Sequence, residues 1–320
     1  MQRTVVRSTV VLLALGLVLS AIAPTSAQAF TFTVFDYPGS IGTFAFGVND
    51  LGQVAGYYVD PAGMPHAYVR DPGPPAMFTV YDFPQATGTY GLGVNNAGQI
   101  IGACSGGPCA SNPFGVIGDQ FTGWLRQPVG ANGKWLLIDR GASAGAAQGE
   151  TAARGINARG YIVGLWQAAD GTVKGYVRAP QPTKNQYQDV VDPSSPTAAR
   201  TTEAYGINRG GDIVGRIEGP NHRGFLLSGG VFTPIDVPGA SQTFGAFAID
   251  DNSPLNIVGT YLDGSGGEHG FLLSQGVYTT IDIDQSGAQA TDARGLNNAG
   301  QIVGNWVDST GRQRAYIAHQ

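Results

Sequence analysis

The segment "RGLNNAGQIVG", residues 294–304, recurs with small changes along the whole chain. Most copies hold a Gly-apolar-Asn triplet, a glycine-containing turn and an apolar run that ends in glycine. The other five copies are "FGVNDLGQVAG" (46–56), "LGVNNAGQIIG" (92–102), "RGINARGYIVG" (154–164), "YGINRGGDIVG" (205–215) and "FAIDDNSPLNIVG" (247–259). The spacing between successive Asn positions runs from 42 to 62 residues, which is typical of propeller and solenoid repeats.

Each copy contains four short strand signals separated by Gly, Asn, Asp and Pro. Since no stretch keeps helical spacing, four antiparallel strands repeated six times predict an all-β, six-bladed β-propeller. The chain begins with an unpartnered strand, "FTFTVFD" at 30–36, and it ends after a third strand. We therefore expect 30–36 to pair with about 313–319 and to close the ring without an open edge.

The first strand of each copy alternates small and bulky side chains, so the small ones share one face. Six residues before the Asn position stands Thr in five copies and Phe244 in the fifth; two residues before it stands Gly, or Ala248 in the fifth copy. The small face of one copy can pack against the bulky face of the next at native density. A larger side chain at Gly206 is therefore expected to overpack this interface.

Two third strands open with His66-Ala67-Tyr68 and His269-Gly270-Phe271. Together with the Gly-Ile-Asn and Ile-Val-Gly motifs, these openings resemble the HAF-type extracellular repeats of secreted bacterial proteins. The resemblance covers essentially all of 30–320. It implies a propeller-like fold and an extracellular location, and it implies no catalytic residues.

The first 29 residues have the pattern of a secretory signal peptide. Arg3 and Arg7 precede the apolar run Val10–Leu19, and "SAQA" offers a cleavage site near Ala29. We therefore expect a secreted protein, extracellular or periplasmic, whose mature chain 30–320 forms a single domain. No second long apolar segment follows, so no membrane insertion is expected.

The charge of the mature chain bears on its partners. Removing the signal peptide leaves 16 basic residues against 23 acidic ones, a net charge of −7, and no basic block remains. Binding to nucleic acid is not expected, because contacts to phosphate need clustered Lys and Arg. We expect a soluble monomer whose partner is an extracellular protein or a glycan.

The only two cysteines, Cys104 and Cys109, lie in an insertion of the second copy at about 103–122. In an oxidising compartment this spacing predicts a local disulfide. A metal site is not expected, since no His or further Cys lies nearby to complete a ligand set. No cofactor is expected either.

The hairpin "HGFLLSQGVYTTID" (269–282) raises the question of whether its histidine and aspartate do chemistry. A two-residue Gln275-Gly276 turn places His269 opposite Asp282. Alignment predicts the same base–acid pair in four other copies: His66–Asp82, Lys174–Asp189, Arg223–Asp236 and Arg314–Asp36. Because His, Lys and Arg all serve as the base, these pairs are interpreted as structural clips across strands.

Functional residues are sought where a copy departs from the repeat. Arg154 and Arg294 stand where other copies carry apolar or aromatic side chains, and Glu203 and Asp292 replace aromatics. These four residues are predicted to lie toward the mouth of the channel and are the candidates for binding a polar ligand. The alternative is a solvated channel wall or salt bridges between blades.

Two functions remain open from the sequence, because propellers host binding proteins and enzymes alike. The first is a secreted, non-enzymatic propeller that binds a protein or glycan through the face formed by the loops between blades. The alternative is an extracellular hydrolase or lyase that cleaves polysaccharides or other polymers with the charged residues at the mouth, for which two carboxylates must flank the scissile bond. A structural component of the cell surface is a third reading.

Overall fold

A computed structural model describes residues 30–109, 121–128, 133–140, 151–168, 170–180, 187–193, 201–219, 222–284 and 287–320. The predicted signal peptide at 1–29 lies outside these residues, as does the part of the predicted insertion at 110–120. The described elements are β-strands and one short 3-10 turn, Gly107–Cys109. Within this part of the chain, no helix has the length and apolarity needed to cross a membrane.

Four antiparallel sheets each contain four strands that follow one another in sequence order. The first sheet holds β2 (Gly42–Val48), β3 (Val54–Val59), β4 (Pro65–Arg70) and β5 (Phe78–Tyr81), and the second holds β6 (Gly88–Val94), β7 (Ile100–Ser105), β8 (Phe121–Arg126) and β9 (Trp135–Ile138). The third holds β10 (Thr151–Ile156), β11 (Ile162–Gln167), β12 (Val173–Arg178) and β13 (Tyr187–Val190), and the fourth holds β14 (Thr202–Ile207), β15 (Ile213–Ile217), β16 (Arg223–Ser228) and β17 (Val231–Ile235).

The remaining nine strands form one larger sheet. They are β1 (Thr31–Phe35), β18 (Gln242–Ile249), β19 (Asn256–Leu262), β20 (Glu268–Ser274), β21 (Val277–Ile281), β22 (Ala290–Thr291), β23 (Gly295–Leu296), β24 (Ile302–Val307) and β25 (Gln313–His319). Strands β18 to β21 pair in sequence order, and β22 and β23 both pair with β24. One parallel residue pair, Glu268 with Ala290, joins these two groups.

The sheets surround a central channel, and the fold is an all-β propeller. One equivalent position of each first strand lines the channel, and the residues there are Phe46, Leu92, Arg154, Tyr205, Phe247 and Arg294. The channel therefore runs along the innermost strands, as the order of the strand signals predicts.

The N-terminal strand forms backbone hydrogen bonds with the C-terminal strand. β1 pairs antiparallel with β25, with Thr31 opposite His319 and Phe35 opposite Ala315. The ring of Phe32 contacts that of Tyr316 edge to face at 5.4 Å, and Phe32 packs on the buried cluster around Trp306. The strand therefore both covers the edge of β25 and contributes to the core.

Each of the six repeats buries one aromatic residue of its third strand completely. These residues are Tyr68, Trp124, Tyr176, Phe225, Phe271 and Tyr316. The Trp124 indole donates to the Ala103 carbonyl of the second strand. The tyrosine hydroxyls reach the first strand; that of Tyr68, for example, donates to the Phe44 carbonyl at 2.8 Å. Since a buried donor needs an acceptor, this bond fixes the third strand against the first.

The Asn of the repeated triplet links neighbouring repeats. Asn49 Oδ1 accepts from the backbone N–H groups of Leu51 and Gln53 and so closes its own turn. Its Nδ2 donates to the carbonyl of Asn95 at 3.1 Å. The same bond to the next repeat is made by three further residues, namely Asn95, Asn157 and Asn297.

The fifth repeat departs from the predicted alignment. The Thr position is occupied by Thr243 and not by Phe244, because two irregularities in the β18–β19 pairing absorb an extra residue. The Oγ1 of Thr243 accepts from the N–H of Val237, as Thr89 accepts from Phe83 in the second repeat. The assignment of Phe244 to this position is therefore wrong, since counting residues cannot detect a bulge.

Replacing Phe32 by Ala is expected to lower the free energy of unfolding by about 2 kcal/mol, because a partly buried ring leaves the core. Thr33 is the matched control, since it lies on the exposed side of the same strand. Thr33→Ala should change the free energy by less than about 0.5 kcal/mol. Urea unfolding measures both, and equal effects would contradict a packed closing strand.

Gly206→Ala is expected to destabilise the fold by about 1–3 kcal/mol through overpacking. A Cβ at Gly206 would lie 2.8 Å from the Phe247 carbonyl oxygen and 3.0 Å from the Cα of Ala248. At Gly264 a Cβ would meet no atom within 4 Å, so Gly264→Ala is the control and should be nearly neutral. Thermal unfolding of both variants tests the close approach between repeats.

Candidate ligand site at the channel mouth

Four of the five base–acid pairs lie where the register predicts them. His66 Nδ1 is 3.0 Å from Asp82 Oδ1, and His269 Nδ1 is 2.9 Å from Asp282 Oδ2. Across the closing strand, an Arg314 guanidinium nitrogen is 2.7 Å from Asp36 Oδ2, whereas Arg223 Nε and Asp236 Oδ2 are 3.7 Å apart. All four pairs sit on the outer strands, away from the channel-lining strands.

The predicted pair Lys174–Asp189 is wrong. In the third repeat Val190 occupies the buried position opposite Gly175, and this register puts Asp189 opposite Tyr176. Asp189 instead accepts from Arg140 at 3.2 Å and from the indole of Trp166 at 3.2 Å. Lys174 lies over the Trp166 ring, 5.6 Å from its centroid.

The predicted disulfide is confirmed. Cys104 and Cys109 are bonded, their Cα atoms are 5.6 Å apart, and neither side chain is exposed. Both pack with Trp124 in the cluster between the first and second repeats. The bond therefore fastens the start of the insertion to the core of the sheet.

The two arginines predicted at the mouth of the channel do line it. Arg294 lies 4.3 Å above the ring centroid of Phe247 and 5.7 Å from that of Phe46. Arg154 lies 5.7 Å from the ring centroid of Tyr205, and the Tyr205 and Phe247 rings are 5.0 Å apart. The rings of Tyr205 and Phe247 therefore lie between the two guanidinium groups around this part of the channel.

Glu203 is buried and already has partners. Its carboxylate accepts from Arg216 at 3.0 Å and from the Tyr205 hydroxyl. Arg216, on the neighbouring strand, also contacts Glu218 at 2.5 Å. Burial, and after it the Glu203 charge, raise the pKa of Tyr205. The sequence predicted Glu203 but not Arg216 and Glu218, the charged residues that complete this network.

Asp292 is likewise engaged. Its Oδ2 accepts from Arg294 Nε at 2.8 Å, and its Oδ1 accepts from the backbone N–H of Asn305 at 2.7 Å. Thus, of the four predicted residues, Asp292 and Arg294 form one pair, while Glu203 binds an arginine that was not predicted.

An aromatic wall faces these charged groups, and the sequence reading missed its central member. Tyr57 stacks on Phe44 with ring centroids 4.5 Å apart and meets Tyr90 edge to face at 5.0 Å. Phe121 extends the wall beyond Tyr90. We define the channel mouth by this wall and the charged groups opposite it: Phe44, Phe46, Tyr57, Tyr90, Phe121, Arg154, Glu203, Tyr205, Arg216, Asp292 and Arg294.

The electrostatics of Tyr57 show that the two sides of the mouth interact. Burial, followed by the neighbouring Tyr90, raises the pKa of Tyr57 to about 12, against the opposing charges of Arg294 and Arg154. Its hydroxyl forms no hydrogen bond among the described residues, so it is open to a ligand.

Glu268 is a further acid that the sequence reading did not select. Burial raises the pKa of the Glu268 carboxyl, and Asp292 raises it further, while Arg294 lowers it. As for metal binding, no group of three His, Cys, Asp or Glu side chains in the described ranges is arranged to hold an ion.

Comparison with known proteins shows the fold. No family model matches the chain, and no curated protein matches its sequence. AofleA from Arthrobotrys oligospora is similar in structure, with a TM-score of 0.55 and 10% identity over 91% of this chain and 86% of that one. Trypanosoma rangeli sialidase has a TM-score of 0.50 and 9% identity over 87% of this chain and 54% of its own. At these identities the similarity establishes an all-β propeller.

A weaker similarity is found with Aleuria aurantia lectin, a fungal lectin of six-bladed β-propeller fold with a fucose recognition mode. It has a TM-score of 0.44 and 13% identity over 76% of this chain and 78% of that one.

The His269 pair makes stability depend on pH. Burial alone would lower the pKa of His269, but the hydrogen bonds and charges of Asp282 and Asp263 raise it above 6.5. The stabilisation is therefore complete below about pH 6.5 and is lost as the pH rises through the folded-state pKa. His269→Gln should lower the free energy of unfolding more at about pH 5 than at about pH 8, with a difference under about 1 kcal/mol.

Urea unfolding at the two pH values measures this difference. His319→Gln is the control, because His319 is exposed at the end of β25 and has no carboxylate partner in the described part of the chain. A pH-independent loss in the His269 variant would contradict a charged His–Asp pair.

Proposed function

We propose that the protein is a secreted, non-enzymatic six-bladed β-propeller that binds a glycan at the channel mouth. Resemblance to the HAF-type repeats supports the repeat class and the extracellular location. The disulfide between Cys104 and Cys109 favours an oxidising compartment. On this proposal the chain is cleaved near Ala29 and acts as a monomer.

Six blades are supported by the lining of the channel. At the end of the Asn residues the lining consists of three consecutive residues from each of the six repeats, as in Val48-Asn49-Asp50 of the first. The nine-stranded sheet divides naturally at the single pair Glu268–Ala290, which leaves four strands, β18 to β21, on one side. β1 then serves as the outer strand of the sixth blade.

The observation that carries the glycan proposal is the aromatic wall opposite guanidinium groups. Pyranose rings present an apolar C–H face that packs on aromatic rings, and their hydroxyls bond to a few well-placed polar groups. Tyr57 and Tyr90 are only partly buried, and the Tyr57 hydroxyl has no partner in the described chain. The mouth thus offers both kinds of contact in one place.

The partners that the Glu203 and Asp292 carboxylates already have support binding of a glycan over its cleavage. In most glycosidase families one carboxyl donates a proton and a second is free to attack or to activate water. Glu203 is bound by Arg216 and Tyr205, and Asp292 is bound by Arg294 and Asn305. Because the fold also occurs in a sialidase, the fold itself does not separate the two functions.

The proposal is tested with the mature chain, residues 30–320, on a glycan array and then by calorimetry with a bound glycan. Tyr57→Phe should weaken binding severalfold, since it removes one hydrogen bond worth about 0.5–1.5 kcal/mol. The matched control is Tyr58→Phe, because adjacent strand residues face opposite sides and Tyr58 stacks on Tyr37 outside the mouth.

Two results would overturn the proposal. One is the absence of binding to any glycan on the array. The other is the release of reducing ends or unsaturated products from extracellular polysaccharides, which would establish the enzymatic alternative.

A further inference from the structure

Three guanidinium groups approach the channel mouth, and two of them are neutralised within the protein. Arg216 lies between Glu203 at 3.0 Å and Glu218 at 2.5 Å. Arg294 is paired with Asp292 at 2.8 Å. These short, charge-assisted contacts leave the two arginines with little capacity for another anion.

Arg154 is different. Among the described residues it forms no ion pair and no side-chain hydrogen bond, and its Nε, like that of Arg216, is shielded from solvent without an acceptor. Its contact is with the face of Tyr205. A shielded donor without an acceptor is costly, because it has lost its water and gained nothing in return. An acceptor for this donor is therefore missing among the described residues.

The acids around the mouth do not supply that acceptor. Glu203, Glu218 and Asp292 hold their own arginines at 2.5–3.0 Å. Glu268 lies in the surroundings of Asp292 and Arg294, and its pKa is raised by burial and then by Asp292. Arg154 is therefore the one guanidinium of the described mouth that is free to bind an anion.

We propose that the ligand is an acidic glycan and that Arg154 binds the carboxylate of a uronic acid unit. The inference rests on the proposed glycan-binding function and adds the class of sugar. The planar guanidinium matches a carboxylate with two parallel hydrogen bonds. The aromatic wall around Tyr57 then packs against the C–H face of the sugar ring. Because the mature chain is itself acidic, local contact rather than long-range attraction holds the anion.

The experiment compares two probes of equal length and linkage, an oligomer of galacturonic acid and the corresponding oligomer of galactose. Both are titrated into the mature chain and into Arg154→Gln, Arg154→Lys and Arg223→Gln. Arg223 is the matched control, because it is an arginine on the outer face whose side chain is 57% exposed. Thermal unfolding of each variant establishes that it is folded.

We expect the wild type to bind the acidic oligomer at least about tenfold more tightly than the neutral one. Arg154→Gln should abolish that preference, Arg154→Lys should keep part of it because the charge remains, and Arg223→Gln should preserve it. If Arg154→Gln is unstable, the comparison between wild type and Arg154→Lys still measures the contribution of the guanidinium fork.

The outcomes separate this inference from the proposal on which it rests. Equal affinity of the wild type for both oligomers, or a preference that survives Arg154→Gln, overturns the assignment of the carboxylate to Arg154 while glycan binding stands. Binding of neither these oligomers nor any glycan on the array overturns the proposed function itself.

Discussion

The side-chain amide of the repeated Asn is the interaction on which the ring depends. Its oxygen closes the turn after the innermost strand, and its nitrogen bonds to the carbonyl of the next repeat, so one buried residue fixes both local geometry and the spacing between sheets. The fifth repeat is the exception, because it has Asp250 at the position of the Asn. Asp250 has no donor, and its carboxylate is occupied by the amides of Asn252 and Asn256. Asn252 Nδ2 then donates to the Asn298 carbonyl at 3.3 Å and restores a link to the sixth repeat. A neighbouring residue thus supplies the donor in the fifth repeat, whereas among the described residues Asn208 of the fourth repeat donates to Asp212 within its own repeat.

Much of the architecture follows from the sequence because its signals are local and repeated. The Gln275-Gly276 turn fixes the pairing of β20 with β21 to the residue, and Ser274 lies opposite Val277 as expected. Prediction fails where a short motif is shifted. In the third repeat the apolar Val190 takes the buried position, and the aspartate that looks like part of the motif moves to the side of Trp166. Burial of an apolar side chain outweighs an exposed ion pair, so the register follows the valine.

Only part of the candidate site could be predicted from the sequence, because its side-chain contacts join residues of different strands. Departures along the first strand identified Glu203 and Asp292, but their partners stand on the second strand, one residue after the Ile-Val-Gly motif. That position holds Tyr57, Arg216 and Asn305 in the first, fourth and sixth repeats. The ladder places Phe44 opposite Tyr57 and Glu203 opposite Arg216. Reading the two positions together would have revealed an aromatic pair and an ion pair. Glu268 gives no such signal, since the effect of Asp292 on the pKa of Glu268 depends on the packing of separate repeats.

The two ends of the channel differ in how closely the repeats resemble one another. At the end of the Asn residues the repeats are similar, and four of the six make the same bond from the Asn amide to a carbonyl of the next repeat. At the mouth they differ: the first two repeats contribute aromatic rings, and the third, fourth and sixth contribute arginines. A ring of identical units could present only equivalent sites, one for each repeat. Variation at the mouth instead produces one asymmetric arrangement of side chains on the axis, which a rigid scaffold holds in place. The proposed glycan site is therefore expected to bind one ligand for each chain.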